Sequence, residues 1–218
     1  MGEWEKMSDR VGYWADMECP YVTYDGVYSE SVWWAIKSMA EKGLLYKGYK
    51  IVPYCPRCGT PLSSHEVAQG YKDVKERSAI ARFKVKDEDA YILAWTTTPW
   101  TLPSNVALCV NPNETYVKVK SGEYTYYMAE ALTGAVLGED VEVLESYTGI
   151  DLEGKEYEPL FSFAKLNKKA YYVTCDTYVT LTDGTGVVHI APAFGEDDAN
   201  VGRKYDLPFL QLVDEKGE

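Results

Sequence analysis

The chain has 218 residues, 46% of them hydrophobic, so it can bury one good core with at most a small appended module. Its formal net charge of −12 argues against tight RNA binding by this chain alone, because phosphate recognition depends on clustered lysine and arginine. The sequence has no apolar run of membrane-spanning length, no signal-like start and five cysteines, an odd number, which together predict a soluble cytoplasmic protein.

The first part of the chain, residues 1–75, is predicted to be a connecting segment with one helix. Ser29 is a suitable N-cap, and Gly43 is a suitable terminator, which predicts a helix over residues 30–43. Its apolar residues recur at helical spacing, so one face of the helix is expected to be packed. These residues are Val32, Trp33, Ile36, Met39 and Ala40.

A pair of cysteines in this segment, Cys55 and Cys58, has the CxxC spacing of a zinc-ribbon knuckle. A closed structural zinc site needs four ligands, so the pair is half of a site. His65 is a candidate third ligand, whereas the remaining cysteines lack ligand spacing. A redox role for the pair would need a thioredoxin-like βαβ setting, which the pattern does not show.

Residues 76–218 are predicted to form a strand-rich domain. Apolar alternation begins at Ala79, and further strand-like segments follow with Pro, Asn and Gly at the breaks. Short helices are predicted over 129–137 and 195–205. The pattern predicts an α+β, β-rich fold with a barrel-like sheet. The strand segments are YILAWT, NVALCV, TYVKVKS, EYTYYMA, VEVLES, AYYVTC and GVVHIA.

The segment WTTTPWTLPSN, residues 95–105, places three threonines at the end of a predicted strand. Alternation along a strand would turn Thr96 and Thr98 to one face and Thr97 to the other, and Pro99 would end the ladder. Three hydroxyls at a strand end can position a water or bind a sugar. The structural alternative is an edge strand with solvated threonines.

A second segment, GTGVVHIAPAFGEDD at residues 184–198, combines a flexible loop, an apolar strand, a histidine and paired carboxylates. Taken alone, His189 reads as a core histidine. Asp197 and Asp198 read as acids in the first turn of a helix, where the helix dipole favours negative charge.

Together the two segments resemble the editing domains of class I aminoacyl-tRNA synthetases, insertions that remove wrongly attached amino acids. The isoleucyl type is favoured, because valyl and leucyl enzymes typically place an arginine after the second threonine, where this chain has Thr98. The resemblance covers nearly the whole chain, including residues 29–49 and 54–67. The HIGH and KMSKS signatures are absent, since HIAP at His189 and KMSDR at Lys6 are superficial matches. The resemblance therefore implies no aminoacylation by this chain.

The resemblance implies hydrolysis of valyl-tRNA for isoleucine, and of valyl-adenylate, by direct attack of water in a size-selective pocket. It assigns the anchor of the substrate ammonium to Asp198, and it places His189 near the amino-acid side chain or the terminal ribose. The hydroxyls of Thr96, Thr97 and Thr98 would contact the terminal adenosine, the carbonyl region and the attacking water. Further substrate-binding residues implied are Trp95, Ala193, Phe194, Gly195 and Asp197.

The implied partners are the 3′ acceptor end of tRNA(Ile) and the rest of the synthetase chain, with no membrane. Editing is expected to need no cofactor, whereas the full-length protein would use ATP and can hold zinc. Two other functions stay open: a tRNA-binding or zinc-stabilised linker module without activity, and an editing domain of a related valyl-type synthetase. Local basic residues, which can touch the acceptor end or form solvated faces, are Arg77, Arg82, Lys84, Lys165, Lys168 and Lys169.

Overall fold

The computed structural model describes residues 2–218 and consists of two compact units, one ending at Lys50 and the other spanning Ile51–Glu218. Met1, where the predicted connecting segment begins, lies outside the described residues. The CxxC segment groups with the strand-rich unit, and the domain boundary near residue 75 stays a prediction. Within residues 2–218, every helix is too short or too polar to cross a membrane.

The first unit contains two helices, α1 (Gly2–Arg10) and α2 (Gly26–Glu41). The prediction of Ser29 as N-cap is wrong, because Asp25 takes that position and its carbonyl already accepts the Ser29 N–H at 3.0 Å. The prediction of a packed face is also wrong, because no residue of α2 is buried and Trp33 stays 73% exposed. An apolar stripe marks a face that can be covered, and it does not supply the covering element.

The second unit begins with a small hairpin around the CxxC pair. Strands β1 (Tyr54–Cys55) and β2 (Thr60–Pro61) pair antiparallel, and the turn between them holds Cys58. Helix α3 (Ser64–Gln69) follows, and its start is fixed by a capping box in which Ser63 and Glu66 bond each other's backbone N–H.

An eight-stranded sheet forms the body of this unit, and its strands match the segments predicted from the sequence within a few residues. They are β3 (Ala79–Lys84), β4 (Tyr91–Thr96), β5 (Ala107–Val110), β6 (Thr115–Ser121), β7 (Tyr124–Ala129), β8 (Glu142–Thr148), β9 (Val173–Cys175) and β10 (Val187–Ile190). Their order in the sheet is β8-β6-β7-β4-β10-β5-β9, with β3 paired to β4.

Short helices connect the strands. The two predicted helices over 129–137 and 195–205 are present with shifted ends, the first as a 3-10 turn that runs into a short α-helix. The helical elements are 3-10 helices at Pro99–Ser104, Glu130–Leu132 and Gly149–Leu152, and α-helices α4 (Thr133–Leu137) and α5 (Glu196–Lys204).

The sheet curls into the predicted barrel-like form. Strand β4 lies at its centre: β3 pairs with it antiparallel, while β10 and β7 pair with it parallel. Two single-residue bridges, Val85 to Tyr157 and Glu156 to Tyr172, then connect the β3 side of the sheet to the β9 side. The α+β, β-rich fold class is therefore confirmed.

Tyrosines fill much of the core because their rings pack while their hydroxyls find buried partners. Tyr157 packs edge-on against Phe83 with ring centroids 5.2 Å apart, and its hydroxyl donates to Asn105 Oδ1 at 2.7 Å. Tyr116 donates to the Gly186 carbonyl at 2.6 Å. These bonds hold the end of the threonine motif at Asn105 and the residue just before β10, Gly186.

Candidate functional site

The threonine motif folds into a compact turn at the end of β4. Thr96 is buried, and its Oγ1 accepts the Thr98 N–H at 3.0 Å. Pro99 then begins the 3-10 helix, where its missing N–H costs nothing. The Thr98 carbonyl accepts both the N–H and the hydroxyl of Thr101, at 3.0 and 2.8 Å. Three hydroxyls, those of Thr96, Thr98 and Thr101, therefore lie in a row 3.3 and 3.4 Å apart.

A hydrogen bond joins this row to β10. Thr101 Oγ1 lies 2.9 Å from His189 Nε2. A hydroxyl has one hydrogen, and that of Thr101 is used on the Thr98 carbonyl, so His189 Nε2 must be the donor. This contact selects the neutral tautomer with hydrogen on Nε2 and leaves Nδ1 as a bare acceptor.

His189 is buried, and burial lowers the pKa of its imidazole to about 4. The ring is therefore neutral at pH 7. Its Nδ1 is buried without a hydrogen-bond partner among residues 2–218. A buried acceptor without a partner costs free energy unless a ligand or water donates to it, so this atom marks a polar binding position.

Asp198 lies in the first turn of α5, close behind β10. Its Oδ2 accepts the Ala191 N–H at 3.0 Å, and a Cβ atom at Gly195 would come within 3.1 Å of its Cγ. Burial raises the pKa of the Asp198 carboxyl to about 6. Throughout the described chain it forms no ion pair, so it is a half-buried acid able to take a cation.

A cavity of about 240 Å³ opens beside the end of β4, on the side of Trp95 and Val188. Gly184 approaches Trp95, one of the lining residues, closely: its φ is +77°, and a Cβ there would meet the Trp95 side chain at 2.8 Å. The cavity is lined by aromatic, hydroxyl and carboxylate groups. The lining residues are Trp95, Tyr178, Val179, Thr180, Thr182, Asp183, Thr185, Gly186, Val187 and Val188.

Tyr178 connects this cavity with Asp198. Its hydroxyl is buried without a partner in the described part of the chain. Burial raises the pKa of Tyr178 far above its ordinary range, and the negative charges of Asp198 and Asp197 raise it further. The Tyr178 side chain therefore lines the cavity and lies within electrostatic reach of Asp198.

The sequence predicted most of these site residues. The structure brings only some of them into contact with one another. Thr97 is exposed, as alternation requires, and it takes no part in the row of hydroxyls. Ala193 and Phe194 are half-buried in the turn after β10, and Asp197 is exposed. No hydrogen bond joins Asp198 to the threonines within residues 2–218, so their joint action stays a prediction.

Two residues were missed. Thr101 lies three positions after Thr98, the spacing at which a 3-10 helix aligns side chains, so its signal was present in the motif itself. Tyr178 carries no local signal, because only the fold of the loop before β10 brings it to the cavity.

The cysteine pair has the geometry of a knuckle, with the Cys58 N–H directed at Cys55 Sγ at 3.4 Å. Hydrogen bonds from Cys58 lower the pKa of the Cys55 thiol. Among residues 2–218, however, no three His, Cys, Asp or Glu side chains come together as a metal site. His65 bonds Gln69 instead, at 2.7 Å. The donors present fit only half of a four-ligand zinc site.

The chain resembles a known enzyme family over most of its length. A family model described as tRNA synthetases class I (I, L, M and V) matches residues 1–190. Isoleucine–tRNA ligase of Clostridium acetobutylicum is 61% identical over 99% of this chain. That of Thermus thermophilus is 47% identical, also over 99%. In both cases the chain covers 21% of the relative, so it spans about a fifth of their length.

Solved structures resemble the fold as well. The structure of GlLeuRS-CP1 superposes with a TM-score of 0.50 at 15% identity, over 59% of this chain and 58% of that one. The cytosolic leucyl-tRNA synthetase editing domain of P. knowlesi gives a TM-score of 0.49 at 18% identity, over 63% and 66%. The sequence matches confirm the predicted resemblance to isoleucyl-type synthetases, and the first structure supports the fold.

Proposed function

Since the chain belongs to the class I tRNA synthetases (I, L, M and V), we propose that it is an isoleucyl-type editing domain that hydrolyses valyl-tRNA for isoleucine. One observation carries the proposal. A half-buried carboxylate, Asp198, is bonded to Ala191 just after β10, and the β10 histidine, His189, is bonded to Thr101 of the threonine turn. An aminoacyl ester needs an ammonium anchor, acceptors for water and ribose, and a pocket for the nucleoside.

The need for such a site follows from the limits of binding. A hydrophobic pocket separates isoleucine from valine by only about 1–3 kcal/mol for the one methylene, and isoleucyl-tRNA synthetase is the standard example of this limit. A second pocket that admits valine and excludes isoleucine removes the remaining errors. The partners of this step are the 3′ end of tRNA(Ile) and the rest of the synthetase.

Asp198 supports the proposal through its charge. With a pKa of about 6 it is ionised at pH 7.5, although its surroundings disfavour the charge. The α-ammonium of an aminoacyl ester supplies the missing cation in this half-buried setting, where a charge-assisted hydrogen bond is strong. The Ala191 N–H holds one carboxylate oxygen in place and leaves the other for the substrate.

The threonine row and His189 then position the hydrolysis. The neutral imidazole is a weak base at a pKa of about 4, so its bare Nδ1 serves as an acceptor for a ribose hydroxyl or for water. Water adds to the ester carbonyl, the bond to the ribose oxygen breaks, and that oxygen leaves with a proton. Valine and tRNA are the products, and no cofactor takes part.

The cavity at Trp95 fits the terminal nucleoside. Trp95 and Tyr178 offer aromatic surface to a base, and Asp183 with the nearby threonines offers partners to a ribose. Ala193, Phe194 and Gly195 form the turn before α5, where Gly195 lies against Asp198, and we propose that they limit the size of the amino-acid side chain.

The test offers valyl- and isoleucyl-tRNA(Ile) to the chain and to Asp198→Asn, Thr98→Ala and Thr97→Ala variants. We expect the parent to release valine selectively, and Asp198→Asn to lose activity while keeping the Ala191 bond. Thr98→Ala should release valine more slowly than the parent. Thr97→Ala tests whether the exposed Thr97 hydroxyl, which lies outside the row, contributes to hydrolysis. Equal hydrolysis of both esters, or full activity in Asp198→Asn, would overturn the proposal.

A further inference from the structure

A cluster of tyrosines and basic side chains lies where β3 ends and where β4 and β7 begin. The Arg82 guanidinium stands over the rings of Tyr91 and Tyr124, at 5.5 and 5.0 Å from their centroids. The Lys84 ammonium stands 4.9 Å from the centroid of Tyr91. We call Arg82, Lys84, Tyr91 and Tyr124 the tyrosine–arginine patch. Arg82 is exposed and Tyr124 is 43% exposed, so the patch is open to a partner.

The patch is continuous with the cavity at Trp95. On the edge strand β3, Ile80, Arg82 and Lys84 share one face, because alternate residues of a strand point the same way. Ile80 pairs with Trp95 and Lys84 pairs with Tyr91. Trp95 and Tyr91 are four residues apart on β4, a separation of about 13 Å at about 3.3 Å for each residue. The face therefore runs from the cavity, past an exposed Ile80, to the patch.

The charges of the patch differ from those of the chain as a whole. The chain has 34 acidic residues and a net charge of −12, yet Arg82 forms no ion pair with any described residue. Lys84 pairs with Asp89, whose side chain is otherwise fully exposed, and Glu158 is the next carboxylate that acts on Lys84. The side chains of Tyr126 and Tyr124 also hydrogen-bond Arg82. Arg82 is therefore a cation held by neutral tyrosines, and it has no charged partner among the described residues.

We propose that the tyrosine–arginine patch binds the single-stranded RNA immediately upstream of the terminal nucleoside, with Arg82 on a phosphate and Tyr124 under a base. This inference rests on the proposed function, which places the terminal nucleoside in the cavity at Trp95. A stacked strand covers about 13 Å in about four nucleotides at about 3.4 Å each, and an extended strand covers it in fewer. Aromatic rings with a neighbouring arginine are the recurring platform for single-stranded nucleic acid.

Such a contact explains how an acidic chain can hold an RNA end. Repulsion from the net negative charge acts on the whole tRNA, whereas one unpaired arginine beside exposed rings attracts a phosphate and a base locally. Any base can stack on an aromatic ring, so the patch would bind the strand without sequence specificity.

The experiment compares two valyl esters that differ only in length. One is valyl-adenosine, and the other is a single-stranded RNA of about six nucleotides ending in the same valyl-adenosine. The variants are Arg82→Ala and Tyr124→Ala, with Tyr124→Phe to retain the ring. Lys120→Ala is the matched control, because it removes one exposed charge from the opposite face of β6 and β7, where Lys120 pairs with Thr125.

We expect Arg82→Ala and Tyr124→Ala to lower kcat/KM for the longer ester by about tenfold, the loss typical of one stacked base. Hydrolysis of valyl-adenosine should stay within about twofold of the parent, and Tyr124→Phe and Lys120→Ala should match the parent on both esters. Equal losses on both esters, no loss on either, or the same loss in Lys120→Ala would overturn the inference. Thermal unfolding of each variant identifies any that has lost its fold.

Binding of the uncharged six-nucleotide RNA is the second measurement, and it separates the patch from the chemistry. Arg82→Ala should weaken this binding and lower the salt slope by about 0.7, the value for one single-strand phosphate contact. If the parent hydrolyses neither ester, the proposed function fails, whereas an Arg82-dependent binding of RNA would still uphold the patch. If replacing Arg82 or Tyr124 leaves RNA binding unchanged, the proposed role of the tyrosine–arginine patch is overturned.

Discussion

Replacement of Asp198 by asparagine should stabilise the chain while it removes the ammonium anchor. Burial raises the pKa of this carboxyl to about 6, above an ordinary value of about 3.9. At pH 7 the native state therefore carries a buried charge that destabilises it relative to the unfolded state. An asparagine of the same shape keeps an oxygen for the Ala191 N–H and carries no charge to desolvate.

The size of the gain follows from the two pKa values. A difference of about 2 in pKa, at about 1.4 kcal/mol for each pH unit, gives an upper limit of about 3 kcal/mol above pH 7. Between pH 4 and pH 6 the native state binds a proton that the unfolded state does not, so the stability of the parent falls as pH rises through this range. The advantage of Asp198→Asn should therefore be largest above pH 6 and vanish near pH 4.

Urea unfolding followed by tryptophan fluorescence at pH 7.5 and pH 4 measures this advantage. Asp197→Asn is the control, because it removes the neighbouring exposed charge and should change the free energy of unfolding by less than about 0.5 kcal/mol. The reasoning is refuted if Asp198→Asn unfolds at the same urea concentration as the parent at pH 7.5. It is equally refuted if the difference is as large at pH 4 as at pH 7.5.

Three further outcomes are expected. Below pH 6, kcat/KM for valyl-tRNA should fall with pH, because a protonated Asp198 no longer attracts the ammonium; an unchanged rate down to pH 5 contradicts this role. Thr101→Val should slow hydrolysis and cost about 1–3 kcal/mol in chemical unfolding, because His189 Nε2–H loses its acceptor, whereas Thr101→Ser should behave as the parent. Gly184→Ala should destabilise the chain more than Gly122→Ala: both have positive φ, and only Gly184 has a neighbour, Trp95, within reach of a Cβ. Equal melting temperatures of these two variants would count against the close approach to Trp95.

Local patterns were sufficient to predict the strands. The alternation in TYVKVKS matches β6 at Thr115–Ser121, because apolar residues at every second position suit a half-buried strand. The start of α2 was misplaced, since Asp25 and Ser29 are both good N-caps and the pattern does not rank them. Burial of that helix depends on a covering element, which its own sequence does not specify.

The site was predictable where its residues are close together along the chain, as in the threonine motif. The bond between Thr101 and His189 joins residues 88 apart, and it exists only because β10 pairs with β4. Tyr178 reaches the cavity through the loop before β10, for which no short motif gives a signal. The sequence therefore predicted the residue types of the site better than their connections.

The pairing of β10 with β4 rests on one register, in which Val188 lies opposite Trp95. A slip of one residue would turn His189 to the other side of the sheet and separate it from the threonine turn. Correct pairing of β10 with β4 is therefore required to bring His189 beside the threonine turn. Under the proposed function, a domain that has lost this register would leave every aminoacyl ester intact, correctly charged tRNA included.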